Sequence, residues 1–210
     1  LGIKAAETFS WQDFISNSEI PAHDRNSGLH YAGYVAETHS WCHASWIWTN
    51  AAIIRTYCSI GKIAEAEALG KLLAERQTCE GGWIVRNDYD KNGAIPVMAP
   101  NDSAYIANNA FLTLYESTGK PEYLHIAEQC AGWVMKTTRP DGMVYGGYNL
   151  RDHKWDMNHV IVDVGFTAGL FARLYELTGK TTYKTYLERF VRRYIELFFI
   201  HERSGFCTSI

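Results

Sequence analysis

The chain has 210 residues, 47% of them apolar, and its 20 basic and 23 acidic side chains leave a formal net charge of −3. That length holds one domain, or two at most, with ample material for a core, and the balanced charge leaves no basic surplus for nucleic-acid phosphates. No run approaches the roughly eighteen apolar residues of a membrane-spanning helix, and the five cysteines stand singly, without the CxxC pairs of a zinc site.

The stretch from Leu1 to Ser10 carries neither the basic nor the apolar segment of a signal peptide. Single, widely spaced cysteines suit reduced thiols packed as small apolar residues, so the expected location is the cytoplasm, with periplasmic or secreted placement as the alternative. Aromatic residues crowd into Trp41 to Trp48 and into Tyr145 to Trp155. They serve either a large core or a platform for sugars, whose C–H faces pack on indole while Tyr and Trp tips reach hydroxyls. Trp41 and His43 are assigned to such a platform. His39 and His43 stand i, i+4, one face of a helix, but no third ligand accompanies them, and neither a metal nor another cofactor is expected.

From Arg55 the chain repeats itself. Arg55-Thr56-Tyr57-Cys58-Ser59-Ile60-Gly61-Lys62 is a weak copy of Leu114-Tyr115-Glu116-Ser117-Thr118-Gly119-Lys120, which returns as Leu174-Tyr175-Glu176-Leu177-Thr178-Gly179-Lys180. The period is about sixty residues, and Tyr123 and Tyr183 keep it. Each unit reads as two helices. The first, from about Asp102 to Thr118, places Ala107, Ala110, Phe111 and Leu114 at helical spacing. Gly119 and Gly179 stand where a helix ends in positive φ, and Pro121 opens the second helix. Glycine-bearing loops close the units at Cys79 to Trp83, Arg139 to Met143 and Glu202 to Phe206. The first of these loops brings Trp83, with a stacking face. It also brings Arg86, whose planar fork suits a sugar carboxylate or a surface ion pair equally well.

The first helix of a pair is small and apolar nearly all round, as at Ala104, Ala107 and Ala110 and again at Ala168, Gly169 and Ala172. The second carries Lys184, Glu188, Arg189, Arg192 and Arg193 among its apolar positions. Inner helices ringed by outer ones satisfy both patterns. The expectation is an all-α domain over residues 1–210. In it, about three helical hairpins with long glycine-bearing loops form an α/α toroid or part of one. A closed toroid needs more hairpins, so further chain, or a second copy in a homo-oligomer, completes or covers the arc; the apolar stretch from Val191 to Ile200 fits such a cover. An open solenoid of the tetratricopeptide kind has a shorter repeat.

Two aspartates hold matching places: Asp102 in Pro100-Asn101-Asp102-Ser103, and Asp163 in Val162-Asp163-Val164-Gly165-Phe166. Counted back from Tyr115 and Tyr175 they fall in nearly one slot, at the same end of neighbouring inner helices. Each is also well placed to cap its helix. Apolar neighbours favour a protonated Asp163, as an acid catalyst needs, while the helix N-terminus favours the charged form. Tyr145, Tyr148, Arg151 and Trp155 precede Asp163 and are expected to form one wall of a cleft, with His159 as a further sugar-binding residue or an ordinary buried histidine.

The helix-pair repeat with an acid at the mouth of its inner helices resembles the six-hairpin α/α glycosidase superfamily, most of all the unsaturated glucuronyl and rhamnogalacturonyl hydrolases. Val160-Ile161-Val162-Asp163 looks like the apolar run ending in that family's catalytic aspartate, and Asn101-Asp102-Ser103 sits where its other functional aspartate does. The resemblance implies a glycoside hydrolase of polysaccharide degradation acting on uronic-acid-containing oligosaccharides. Asp163 would be general acid and then base, hydrating the double bond of an unsaturated uronic sugar, while Asp102 holds the ring and tunes its partner. Two other readings keep the same fold. One is a sugar epimerase or polysaccharide lyase, with His39, His43, His159 and tyrosines as proton shuttles. The other is a non-catalytic scaffold that binds glycan or protein.

Overall fold

The computed structural model describes residues 27–31, 34–35, 40–41, 47–156, 164–200 and 205–206. Three helical hairpins follow one another. The first pairs α1 (Ile47–Ser59) with α2 (Ile63–Ala74). The second pairs a long helix, composed of α3 (Pro100–Ile106), a π-helical segment (Ala107–Leu112) and α4 (Thr113–Thr118), with α5 (Pro121–Lys136). The third pairs α6 (Val164–Thr178) with α7 (Thr181–Phe198).

The repeated sequence makes repeated local structure. Gly61, Gly119 and Gly179 end the first helix of each hairpin at φ of 77°, 72° and 67°, left-handed values that glycine adopts without a Cβ clash. Thr118 Oγ donates to the Leu114 carbonyl (2.7 Å) and accepts from the Lys120 amide (3.3 Å), and Thr178 does the same with Leu174 (2.6 Å) and Lys180 (3.2 Å). Pro100 and Pro121 open their helices where the missing N–H costs nothing.

The first helices pack side by side, α1 and α6 flanking the α3–π–α4 helix. Trp48, Tyr105 and Phe166, all in the first two turns of their helices, touch in a row. Further along, Arg55 donates to Asn109 Oδ1 (2.9 Å) and Arg173 to Asn108 Oδ1 (3.0 Å). The three helices therefore run parallel and in register, as inner helices of an arc. The π segment has a specific role in that register. Asp102 stands thirteen residues before Tyr115 and Asp163 twelve before Tyr175; one π-bulge accommodates one extra residue in a helix.

Outer helices are tied to one another by side chains. Glu67 on α2 accepts from Lys120 and from Tyr123 Oη (3.0 Å), and Glu128 on α5 accepts from Lys180 Nζ (2.6 Å) and Tyr183 Oη (3.1 Å). Between the layers lies one core, with Leu73, Trp83, Phe111, Leu114, Val134, Phe171, Leu174 and Phe190 enclosed.

The loops are not all loop. The expected all-α pattern omits an antiparallel four-stranded sheet, ordered β3 (Ile84–Asp90), β4 (Gly93–Met98), β5 (Tyr148–Asn149) and β6 (Lys154–Trp155). Two short strand pairs form separate two-stranded sheets, β1 (Tyr34–Val35) with β2 (Ser40–Trp41) and β7 (Phe199–Ile200) with β8 (Gly205–Phe206). Most of β3 is exposed, so it lacks the apolar alternation that marks a half-buried strand. Among the described cysteines, Cys58, Cys79 and Cys130 are free thiols. Cys130 is buried, Cys58 partly so, and Cys79 is exposed. No described helix is long and apolar enough to cross a membrane.

Candidate functional site

The parallel inner helices open at one end, and the candidate site is built there. Strand β4 ends at Met98 and Pro100 begins α3, so the sheet stands beside this mouth. Asp102 lies in the first turn of α3 with its side chain half-buried. It does not occupy the N-cap position assigned to it in the capping alternative: Ala99 does, with no side-chain cap. The aspartate instead sits within the helix's opening turn, where the macrodipole favours a negative charge.

Asp102 shares its helix face with Tyr105, one turn on. Tyr105 meets Phe166 edge-on at 4.5 Å and Trp48 at 6.3 Å, making a row of rings from three successive inner helices. Burial raises the Tyr105 phenol above its ordinary range, with Arg55 opposing the shift. Beneath the row, buried Thr167 Oγ donates to buried Asn101 Oδ1 (3.0 Å), locking the first turn of α6 to that of α3.

A second aromatic group flanks the sheet. Tyr148 and Trp155 face each other across β5 and β6 with centroids 4.7 Å apart, and Tyr145 stacks on Trp155 at 4.5 Å. Buried Trp133 backs Trp155 at 6.4 Å, and the Arg139 guanidinium lies 5.6 Å from the Tyr145 centroid. The three aromatic members of the expected wall are thus brought together, each partly exposed. Arg151 anchors the turn between β5 and β6 to the tip of β3, donating to both Asp90 oxygens (2.6 and 3.1 Å).

Other sequence expectations land elsewhere. Trp83 offers no face to a ligand: it is 0% exposed, stacks on Phe111 at 5.6 Å, and donates its indole N–H to the Leu73 carbonyl (2.8 Å). Its neighbour Gly82 explains why, since a Cβ there would lie 2.7 Å from both Met98 and Trp133, a fit that draws the loop into the core. Arg86 takes the ion-pair alternative, its Nε donating to Asp88 Oδ1 (3.1 Å). Trp41 lies in β2 and only its backbone is described. Asp163, His43 and His159 lie outside the described residues. Among the described residues no group of His, Cys, Asp and Glu could hold a metal ion.

The sequence reading missed Trp48, Tyr105 and Phe166. Tyr105 stands three residues after Asp102 and Phe166 three after Asp163, a signal the same repeat count contains.

A sequence profile of glycosyl hydrolase family 76 matches residues 74–207. Among solved structures, D-mannose isomerase superposes with a TM-score of 0.69 at 16% identity, over 90% of this chain and 54% of that one. An α-mannanase of glycoside hydrolase family 76 from Bacteroides thetaiotaomicron gives 0.65 at 12% identity, over 88% and 53%. An unsaturated glucuronyl hydrolase specific for heparin gives 0.61 at 13% identity, over 88% and 46%. The chain spans about half the length of each. These are six-hairpin α/α toroids, and the likeness shows that this chain has their fold. No curated protein matches the sequence.

Proposed function

Because this chain belongs to glycosyl hydrolase family 76, we propose that it carries the carboxylates of a glycoside hydrolase and binds an oligosaccharide across the mouth of its inner helices. The observation that carries the reading is the placement of Asp102, half-buried in an opening helix turn on the face of Tyr105, beside a row of rings from three helices. Glycosidic cleavage needs one carboxyl to protonate the leaving oxygen and another to act as base or nucleophile. Asp102 and Asp163 fill those roles in this reading, and the aromatic row packs against sugar C–H faces. Residues 1–210 are taken as one repeat domain.

For the substrate, a neutral α-mannoside chain fits better than a uronic-acid glycan. A uronic carboxylate calls for an arginine fork at the cleft, yet Arg86 is paired with Asp88, and Arg151 with Asp90 and Asp152. The α-mannanase is itself of family 76, the family this chain matches, and supports the same reading.

The test is hydrolysis of α-linked manno-oligosaccharides, with oligosaccharides ending in an unsaturated uronic sugar as the comparison. Asp102→Asn and Asp163→Asn should each lower kcat by about 10²–10⁴-fold. Full turnover by either variant, or isomerisation of a free sugar without bond cleavage, removes the two-aspartate hydrolase.

A further inference from the structure

The inner helices carry a second polar level, in their carboxyl-terminal halves and away from the ring row. Counted back six residues from Gly61, Gly119 and Gly179, the repeat places Arg55, Thr113 and Arg173 at one height on three neighbouring helices. Two arginines thus flank a threonine. The π segment presents consecutive asparagines, one to each side. Arg55 Nη1 donates to Asn109 Oδ1 (2.9 Å), and Arg173 Nη1 donates to Asn108 Oδ1 (3.0 Å) and to its carbonyl (2.6 Å). Both guanidiniums therefore converge on the middle helix, at a kind of segment that is frequent in functional sites.

The two differ in charge balance. Arg173 Nη2 donates to Glu116 (2.6 Å) and Thr113 Oγ1 (3.5 Å), so its charge is answered. Glu116 stands three residues before Gly119, and the matching residue on α1 is the uncharged Cys58. Arg55 has an amide oxygen as its described partner and no carboxylate, which leaves Nε and Nη2 unspent. Its anchor is firm. Asn109 is 5% exposed and donates in turn to the Tyr105 carbonyl (3.1 Å). A planar fork held this way has little freedom left to lose on binding. An open cavity of about 600 Å³ lies over this level, lined by both arginines, by Thr113 and by the hydroxyls of Ser59 and Ser117. Glu116 is the one acid in that lining, so two cations face one anion.

We propose that this level is a binding site for a phosphoryl group, separate from the mouth, with the Arg55 fork on two phosphate oxygens and the Ser117 hydroxyl on the third. A guanidinium edge takes two oxygens side by side. That uses both oxygens of a carboxylate and leaves a third only on phosphate. The cavity is larger than a phosphate ion needs and has the size of a small-molecule pocket, so the ligand is a phosphate monoester of sugar size, with the free ion as its smallest relative. The site is independent of the hydrolytic reading: a neutral glycan at the mouth and an anion here occupy opposite halves of the same helices.

Amide-detected NMR titrations of the intact protein, at fixed pH and ionic strength, test this with glucose-6-phosphate, inorganic phosphate and glucose. The ester should bind saturably, with shifts concentrated at Asn108, Thr113 and Ser117, and glucose should not bind there. Tighter binding of the ester than of phosphate assigns the site to the ester, and equal binding assigns it to the free ion. Arg55→Gln should weaken binding by about tenfold and Ser117→Ala by about threefold. Arg55→Lys keeps the charge without the fork and should also weaken it, which guards against a glutamine variant that fails to fold. Absence of saturable binding overturns the proposal, as do shifts centred on Trp48 and Tyr105, or folded Arg55 variants that bind like the unsubstituted protein.

Discussion

Single side chains in this protein divide by which layer they touch. Trp83 and Trp155 have similar neighbours in sequence, a glycine-bearing loop and a strand, yet one is enclosed and the other half-exposed. Trp83→Ala should therefore destabilise the fold by about 3–5 kcal/mol in urea titration, through the cavity it leaves against Phe111. Trp155→Ala or Tyr105→Ala should act on ligand instead, raising KM about tenfold with kcat little changed, the mark of lost uniform binding. Equal effects of Trp83→Ala and Trp155→Ala on stability would contradict this division. The Glu67 grip adds a pH dependence. Hydrogen bonds from Lys120 and then Tyr123 hold the Glu67 carboxyl below its ordinary 4.5, so its contribution is full above that value and fades as pH falls through the lower folded one. Burial first, then Glu67, pushes the Tyr123 phenol from 10.0 up to about 12. There the folded state holds the proton more tightly, so stability is full below pH 10 and declines as pH rises towards 12. Melting temperature followed from pH 9 to about 12 should fall less steeply in Tyr123→Phe, which has nothing to titrate.

At the scale of elements, glycine shows that conformation rather than space decides. Added Cβ atoms at Gly119 and Gly132 would each meet nothing within 4 Å, but Gly119 has a φ of 72° and Gly132 lies within α5. Gly119→Ala should cost about 1–2 kcal/mol, the left-handed penalty of an L residue. Gly132→Ala should gain about 0.5–1 kcal/mol, the helical preference of alanine over glycine. Denaturant midpoints of the two variants should move in opposite directions from the unsubstituted protein. The helix ends were legible in sequence because Gly-Lys recurs at each of them. The sheet was not, because β3 is a mostly exposed strand paired through its backbone, and backbone pairing leaves no apolar period. The π segment was equally hidden. Its trace in sequence is one extra residue between Asp102 and Tyr115, and Asn108 and Asn109 within the segment are held on either side by Arg173 and Arg55.

Across the whole molecule, periodicity alone determined the hairpins, their order, and the division into inner and outer helices, because a face that recurs every sixty residues or so must meet the same neighbour each time. It also put Asp102 at the mouth of an inner helix. Tertiary structure decided everything that depends on contact between distant segments. It made Trp83 core, gathered Tyr145, Tyr148 and Trp155 into one group, and set Trp48, Tyr105 and Phe166 in a row. A sequence states which side chains are present and at what spacing along one helix. Whether an aromatic ring faces sugar or core is settled by which second helix lies against it, and that is fixed only when the hairpins pack.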